Sequence, residues 1–140
     1  MKLSALYQIF LECQSVTTDS RNCPDGSLFI ALKGESFNGN AFAKLALDSG
    51  CAFAIIDEIQ YAVEGDQRYI LVDDCLQTMQ QLANYHRRQL GTRVIGITGT
   101  NVKTTTKELI SSVLCQAHNV LYTLGNLNNH IGVPTTLLRL

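Results

Sequence analysis

The stretch Val94-Ile95-Gly96-Ile97-Thr98-Gly99-Thr100-Asn101-Val102-Lys103-Thr104-Thr105-Thr106 decides the reading of this chain. Four mainly apolar residues predict a buried strand, a glycine-containing turn follows, and a lysine with hydroxyls opens a helix. Such an order suits a phosphate-binding loop. Backbone N–H groups converge on an anion, the helix N-terminus adds partial positive charge, and Lys103 adds a full one. A Thr directly after that lysine, here Thr104, can place its hydroxyl on a Mg²⁺ that bridges phosphates. One residue does not fit. Where such loops carry Gly before the lysine, this chain has Val102. Positive φ is expected there, and a β-branched residue at positive φ costs on the order of 1–3 kcal/mol. The expectation is weak ATP binding or none. The competing reading is a plain strand-to-helix turn with Thr104 or Thr105 as the helix cap.

Working outward from this loop, the chain is predicted to alternate strands and helices, which implies an α/β arrangement. A helix is predicted over residues 3–12, where Leu3, Leu6, Tyr7 and Phe10 recur at helical spacing. A β-prone stretch from Ser15 ends in polar residues, and Pro24-Asp25-Gly26 signals a turn. Strands are predicted at Leu28–Leu32, Cys51–Ile56 and Tyr69–Val72, with a helix from Ala41 to Leu47 and a loop at 59–67. From Cys75 to Leu90 the apolar positions predict a long helix, with His86 as a packing residue on its inner face and Gly91 as C-cap. That helix marks a seam. Residues 1–90 are expected to form one small α/β unit, and residues 91–140 to begin a second. In the second unit a helix is expected at 104–117, with Leu109, Ile110, Val113, Leu114 and Ala117 facing a core, and a strand from Asn119 to Tyr122. One strand–helix–strand unit needs more strands than follow it. The apolar end Leu137-Leu138-Arg139-Leu140 is expected to lie uncovered, as in the N-terminal portion of a longer protein.

Composition narrows the function. The 140 residues suffice for one ordinary domain or two small ones, and 46% hydrophobic with 16% charged residues describes a globular chain. A formal net charge of −1 gives no reason to expect nucleic acid or an anionic membrane as partner. No apolar run approaches the ~20 residues that span a bilayer, and the N-terminus lacks a signal-peptide core. The expected compartment is the cytoplasm. The five cysteines are scattered without a CxxC pair, and His86, His118 and His130 lie near none that could complete a zinc site. Oligomeric state has no signature in the sequence.

Two further constellations stand out. Gly125-Asn126-Leu127-Asn128-Asn129-His130-Ile131-Gly132-Val133-Pro134 is an irregular loop rich in amide donors and acceptors, suited to a peptide or sugar. An ordinary turn with asparagines in left-handed conformations explains its composition equally well. Thr17-Thr18-Asp19-Ser20-Arg21, with Lys33-Gly34, places hydroxyls and cations on strand ends, where they can hold a diphosphate or a uracil edge. Its plainer reading is a surface Asp–Arg pair with a strand cap.

In chain order these motifs, together with Gly26-Ser27-Leu28-Phe29-Ile30-Ala31-Leu32-Lys33-Gly34 and Lys107-Glu108-Leu109, resemble the Mur ligases, and the resemblance runs along essentially the whole chain. These ATP-dependent enzymes form amide bonds in peptidoglycan precursor synthesis. The asparagine-rich motif is most similar to the member that adds D-alanyl-D-alanine to UDP-N-acetylmuramoyl-tripeptide. The resemblance implies a small N-terminal α/β UDP-precursor-binding domain followed by the start of a P-loop-type parallel-sheet ATPase domain. It implies ATP and Mg²⁺ as cofactors, an acyl phosphate formed from the substrate carboxylate, and displacement of phosphate by the dipeptide amine. Matched to the family's motifs, Gly99, Thr100, Asn101, Lys103, Thr104 and Thr105 would surround ATP phosphates, with Thr104 on Mg²⁺. Ser20 and Arg21 would lie at the uridine diphosphate, and Asn126, Asn128 and Asn129 near the muramoyl-peptide. Two departures bear on this. Val102 replaces the family's Gly, and Asn38-Gly39-Asn40 stands where many members have Asp-Gly-His. The family's acidic and histidine metal ligands, carboxylated lysine and C-terminal domain lie beyond these residues, so turnover by this chain alone is not expected. Other readings stay open: a non-catalytic precursor-binding module, another Mur-type ligase, or a folate-polyglutamating relative, against which Lys103-Thr104-Thr105 argues.

Overall fold

The computed structural model describes residues 2–125 and 127–140. Its centre is a sheet of four short strands, β1 (Val16–Thr17), β2 (Leu28–Ile30), β3 (Phe53–Ile56) and β4 (Tyr69–Leu71). All neighbours are parallel and the order in space is the order in sequence. In register, Leu28 pairs with Val16 and Phe53, and Ile55 with Ile30 and Ile70. Leu28, Phe29, Ile30, Ala54, Ile55 and Ile56 are wholly buried, the near-continuous apolar run that a parallel strand covered on both faces requires.

Helices supply that cover. The helix α1 (Leu3–Glu12) buries Leu6, Tyr7 and Phe10, and α2 (Ala43–Asp48) buries Ala43, Ala46 and Leu47 against β2 and β3. A short 3₁₀ turn at Gly39–Phe42 leads into α2, so the expected helix begins as a tighter coil. The long helix α3 (Cys75–Leu90) forms where the periodicity predicts. Asp74 caps it by accepting from the Gln77 N–H at 2.7 Å, and Gly91 closes it in the left-handed conformation at φ 63°. The ring of His86 is buried, held 3.1 Å from the Tyr7 hydroxyl and edge-on to Phe10, as a packing residue between α3 and α1.

Beyond α3 the expectations need correction. Val94 to Ile97 do not form a strand, and Val94 and Ile95 are 55% and 62% exposed. Residues 119–122 are also irregular. A strand exists only as one side of a hydrogen-bonded ladder, and neither segment pairs with another among the described residues. Helix α4 (Lys103–Leu114) does form, because its bonds are internal. Its expected apolar stripe is only half right. Leu109, Val113 and Ala117 are exposed, whereas Ile110 and Leu114 are half-buried and Ser111 is buried. The face turned inward is the one carrying Lys103, Lys107, Ile110, Ser111 and Leu114.

Part of the apolar end is covered, from an unexpected side, while Leu140 stays exposed. The last helix, α5 (Gly132–Leu137), packs against α3. Leu138 is 6% exposed and joins the core of the first sheet, with Ile131 and Leu137 packed beside it. Among the described residues no helix is long and apolar enough to cross a membrane.

Candidate functional site

The loop before α4 has the backbone its sequence demands. Gly99 has φ 153°, and Val102, the N-cap of α4, sits in the left-handed region at φ 62°, ψ 8°. Val102 is the one non-glycine residue at positive φ among the described residues. Its side chain makes no cap, and the first intrahelical bond is Thr106 N–H to the Val102 carbonyl at 2.9 Å. The N–H groups of Lys103 and Thr105 therefore have no preceding turn of helix to bond to. The Lys103 ammonium folds back to donate to the Gly99 carbonyl, closing a ring over the turn. Gly99, Thr100, Asn101, Thr104 and Thr105 are exposed around it. A left-handed turn, the start of a helix and one lysine thus stand together at this end of α4. Among the described residues no group of three His, Cys, Asp or Glu side chains could hold a metal.

The asparagine motif lies beside α4 and is fastened to it. Lys107, one turn beyond Lys103, donates to the carbonyls of Thr123 at 2.5 Å and Gly125 at 3.4 Å. At the far end of the motif Asn129 caps α5, its Oδ1 accepting from the N–H groups of Ile131 at 3.1 Å and Gly132 at 2.7 Å. Gln80 of α3 donates to the His130 carbonyl at 3.0 Å. Asn128 is exposed and makes no side-chain hydrogen bond among the described residues. Asn126 lies outside the described residues.

Ser20 and Arg21 follow β1, at the carboxyl end of the parallel sheet, where open α/β sheets bind ligands. Arg21 is turned onto its neighbour. Its guanidinium donates to both Asp19 oxygens at 2.9 and 2.8 Å, and its N–H to Oδ1 at 3.0 Å. The guanidinium's hydrogen bonds hold the Asp19 carboxyl down at about 2. The surface Asp–Arg pair of the plainer reading is thus present. No hydrogen bond or ion pair joins Ser20 or Arg21 to the other two loops among the described residues.

One polar cluster escaped the sequence reading. After β3, Asp57 is buried, its side chain 4% exposed, at the hub of a network reaching β2 and α3. Its carboxylate accepts from Lys33 Nζ at 3.0 Å, Asn40 Nδ2 at 2.8 Å and the Cys75 N–H at 3.2 Å. Burial pushes this carboxyl up, but the hydrogen bonds from Asn40, Lys33 and Cys75 outweigh burial and leave it below its ordinary value. Asn38 accepts from the Asn40 N–H and side-chain amide and donates to Glu58 at 3.1 Å. Lys33 and the Asn38-Gly39-Asn40 turn are therefore spent on internal bonds. The signal available was the Asp57-Glu58 pair directly after an apolar strand.

Residues 12–87 match the Mur ligase family, catalytic domain, and residues 97–140 match the Mur ligase middle domain. The UDP-N-acetylmuramoyl-tripeptide–D-alanyl-D-alanine ligase of Bacillus subtilis is 47% identical over 123 residues, and that of Escherichia coli 42% over 126. These alignments take in 88% and 90% of this chain but 27% of each relative. Among solved structures, MurF from Acinetobacter baumannii superimposes with a TM-score of 0.84 at 34% identity, over 99% of this chain and 32% of that one. MurF ligase from Thermotoga maritima, solved in complex with ADP, gives 0.80 at 30% identity, over 92% of this chain and 29% of its own. With its fold, its motifs in order and more than half its length matched, the chain belongs to the Mur ligase family.

Proposed function

We propose that this chain forms the precursor-binding end and the nucleotide loop of an ATP-dependent ligase. The reaction is addition of D-alanyl-D-alanine to UDP-N-acetylmuramoyl-tripeptide in the cytoplasm, through an acyl phosphate. The observation that carries this reading is Lys103 in the first turn of α4, behind a left-handed turn, with the asparagine loop bonded to the same helix. In this reading residues 1–90 hold the uridine end and residues 91–140 begin the ATP-binding unit. Gly99, Thr100, Asn101, Lys103 and Thr105 surround the phosphates of ATP, and the Thr104 hydroxyl meets Mg²⁺, which neutralises phosphate charge when bound. Ser20 and Arg21 take the uridine diphosphate once Arg21 leaves Asp19, and Asn126, Asn128 and Asn129 lie near the muramoyl-peptide.

Val102 favours a second reading, a precursor-binding module with a disabled nucleotide loop. Its exposed isopropyl group stands where a bare Cα lets phosphate approach backbone. Calorimetric titration with UDP-N-acetylmuramoyl-tripeptide and with ATP tests both readings. The first expects both to bind, ATP weakly. Precursor binding with no ATP binding, in this chain and its Val102→Gly version alike, supports the module. Failure of the precursor to bind overturns both. Phosphate release from ATP, precursor and D-Ala-D-Ala is expected to stay at background with these residues alone.

A further inference from the structure

We propose that Lys107 is a positioning residue that ties the asparagine loop to the nucleotide-loop helix and thereby sets affinity for the peptide end of the uridine-linked precursor. The inference rests on the reading above. Lys107 is 12% exposed, although its neighbour Glu108 is 53% exposed. Burying an ammonium is unfavourable unless its three donors are matched. Here the Thr123 and Gly125 carbonyls accept hydrogen bonds, the Glu108 carboxylate pairs with the charge at 2.8 Å, and the Tyr122 ring centroid 5.6 Å from Nζ adds cation–π attraction.

This bonding differs from that of Lys103. Lys103 reaches a carbonyl four residues back in its own turn, whereas Lys107 crosses to residues 16 and 18 positions away. It fixes the entrance of the asparagine loop to α4, while Gln80 fixes the exit to α3 through His130. Gly132 presses so closely on Leu127 that an added Cβ would lie 2.7 Å from backbone. Between these anchors Asn128 is left exposed for a ligand. Lys107 itself is turned inward, so it acts on the ligand through the loop.

The test compares the chain with Lys107→Met, which keeps the stem without the charge, and Lys107→Arg, which keeps a cation with several donors. Affinities for UDP and for UDP-N-acetylmuramoyl-tripeptide are measured by calorimetry, and amide hydrogen exchange is followed over residues 122–131. Lys107→Met is expected to weaken the precursor roughly tenfold, leave UDP within about twofold, and raise exchange in the loop. Lys107→Arg is expected to restore the precursor affinity and the loop protection. An unchanged precursor affinity in Lys107→Met, an equal loss for UDP, or no rescue by Arg overturns the proposal. Should Lys107→Met fail to fold, Lys107→Gln, a neutral donor, is expected to lose part of the precursor affinity, and its equality with wild type is equally fatal. If wild-type chain binds UDP but not the precursor more tightly, the positioning role falls. If it binds neither, the functional reading itself falls and takes this proposal with it.

Discussion

Asn40 and Asp57 clasp each other in both directions. The Asn40 amide donates to Asp57 Oδ1 at 2.8 Å, and the Asp57 N–H donates to Asn40 Oδ1 at 3.0 Å. Asn40 is 1% exposed, so the pair joins the turn after β2 to the end of β3 without help from solvent. Replacing Asn40 with Ala leaves the Asp57 N–H unpaired and strips one donor from a buried carboxylate. The expected cost is about 2–4 kcal/mol of unfolding free energy by urea denaturation. A loss below about 0.5 kcal/mol would show the clasp to be dispensable.

The same carboxylate gives stability a pH dependence. In the folded chain Asp57 ionises below its ordinary value, so its contribution is fully present above about pH 3.9, the unfolded value. The contribution is lost as pH falls through the folded value. Acid unfolding is expected to begin at higher pH in Asn40→Ala, because its carboxylate keeps fewer of the hydrogen bonds that depress it.

Asp19 offers a direct readout of where Arg21 lies. Its carboxyl is held at about 2 by the Arg21 side chain and N–H. Carboxyl carbon shifts followed through an acid titration are expected to place it there and to move it up toward about 3.9 in Arg21→Ala. Saturating UDP, by drawing Arg21 away, is expected to shift it in the same direction. No movement on adding UDP would remove Arg21 from the uridine-diphosphate site.

Val102→Gly relieves a β-branched residue from φ 62°. It is expected to leave stability unchanged or raise it by up to about 1 kcal/mol, because relief of strain outweighs the added freedom of the unfolded chain. ATP affinity is expected to rise. Equal ATP affinities in the two proteins, measured by calorimetry, would show that the valine does not obstruct the loop.

Thiol chemistry separates buried from exposed cysteines. Burial, helped by nearby negative charge, pushes Cys13 and Cys23 up to about 11 and Cys75 to about 12. Cys115 is exposed at the end of α4. At neutral pH a disulfide reagent is expected to modify Cys115 first, since it is the exposed thiol and the reagent must reach the sulfur. A Cys115→Ser chain that reacts just as fast would contradict this order.

The sequence was most legible where each residue's environment is built from nearby chain. The helix at Cys75–Leu90, its Asp74 cap and its Gly91 stop form from local signals. The positive φ at Val102 was also readable, because position before the lysine demands it whatever side chain is present. Legibility failed where burial depends on distant partners. Val94 and Ile95 have the composition of a central strand yet lie exposed, since a ladder needs a neighbour that no local pattern supplies. Leu138 erred the other way, read as uncovered but buried on a helix about fifty residues earlier. The three site motifs were found as sequence, whereas the bonds that hold two of them in place, from Lys107 and Gln80, were not. Their carbonyl acceptors carry no residue identity.

The return of α5 to α3 has a topological consequence. Residues 91–130 leave α3 at its capped end and come back to it at Gln80, so the phosphate turn and α4 ride on a closed excursion pinned at its base. A protease cut between Arg93 and Gly99 would therefore nick the chain without freeing its tail. The Leu138 anchor would keep both fragments together through a sizing column until denaturant parted them.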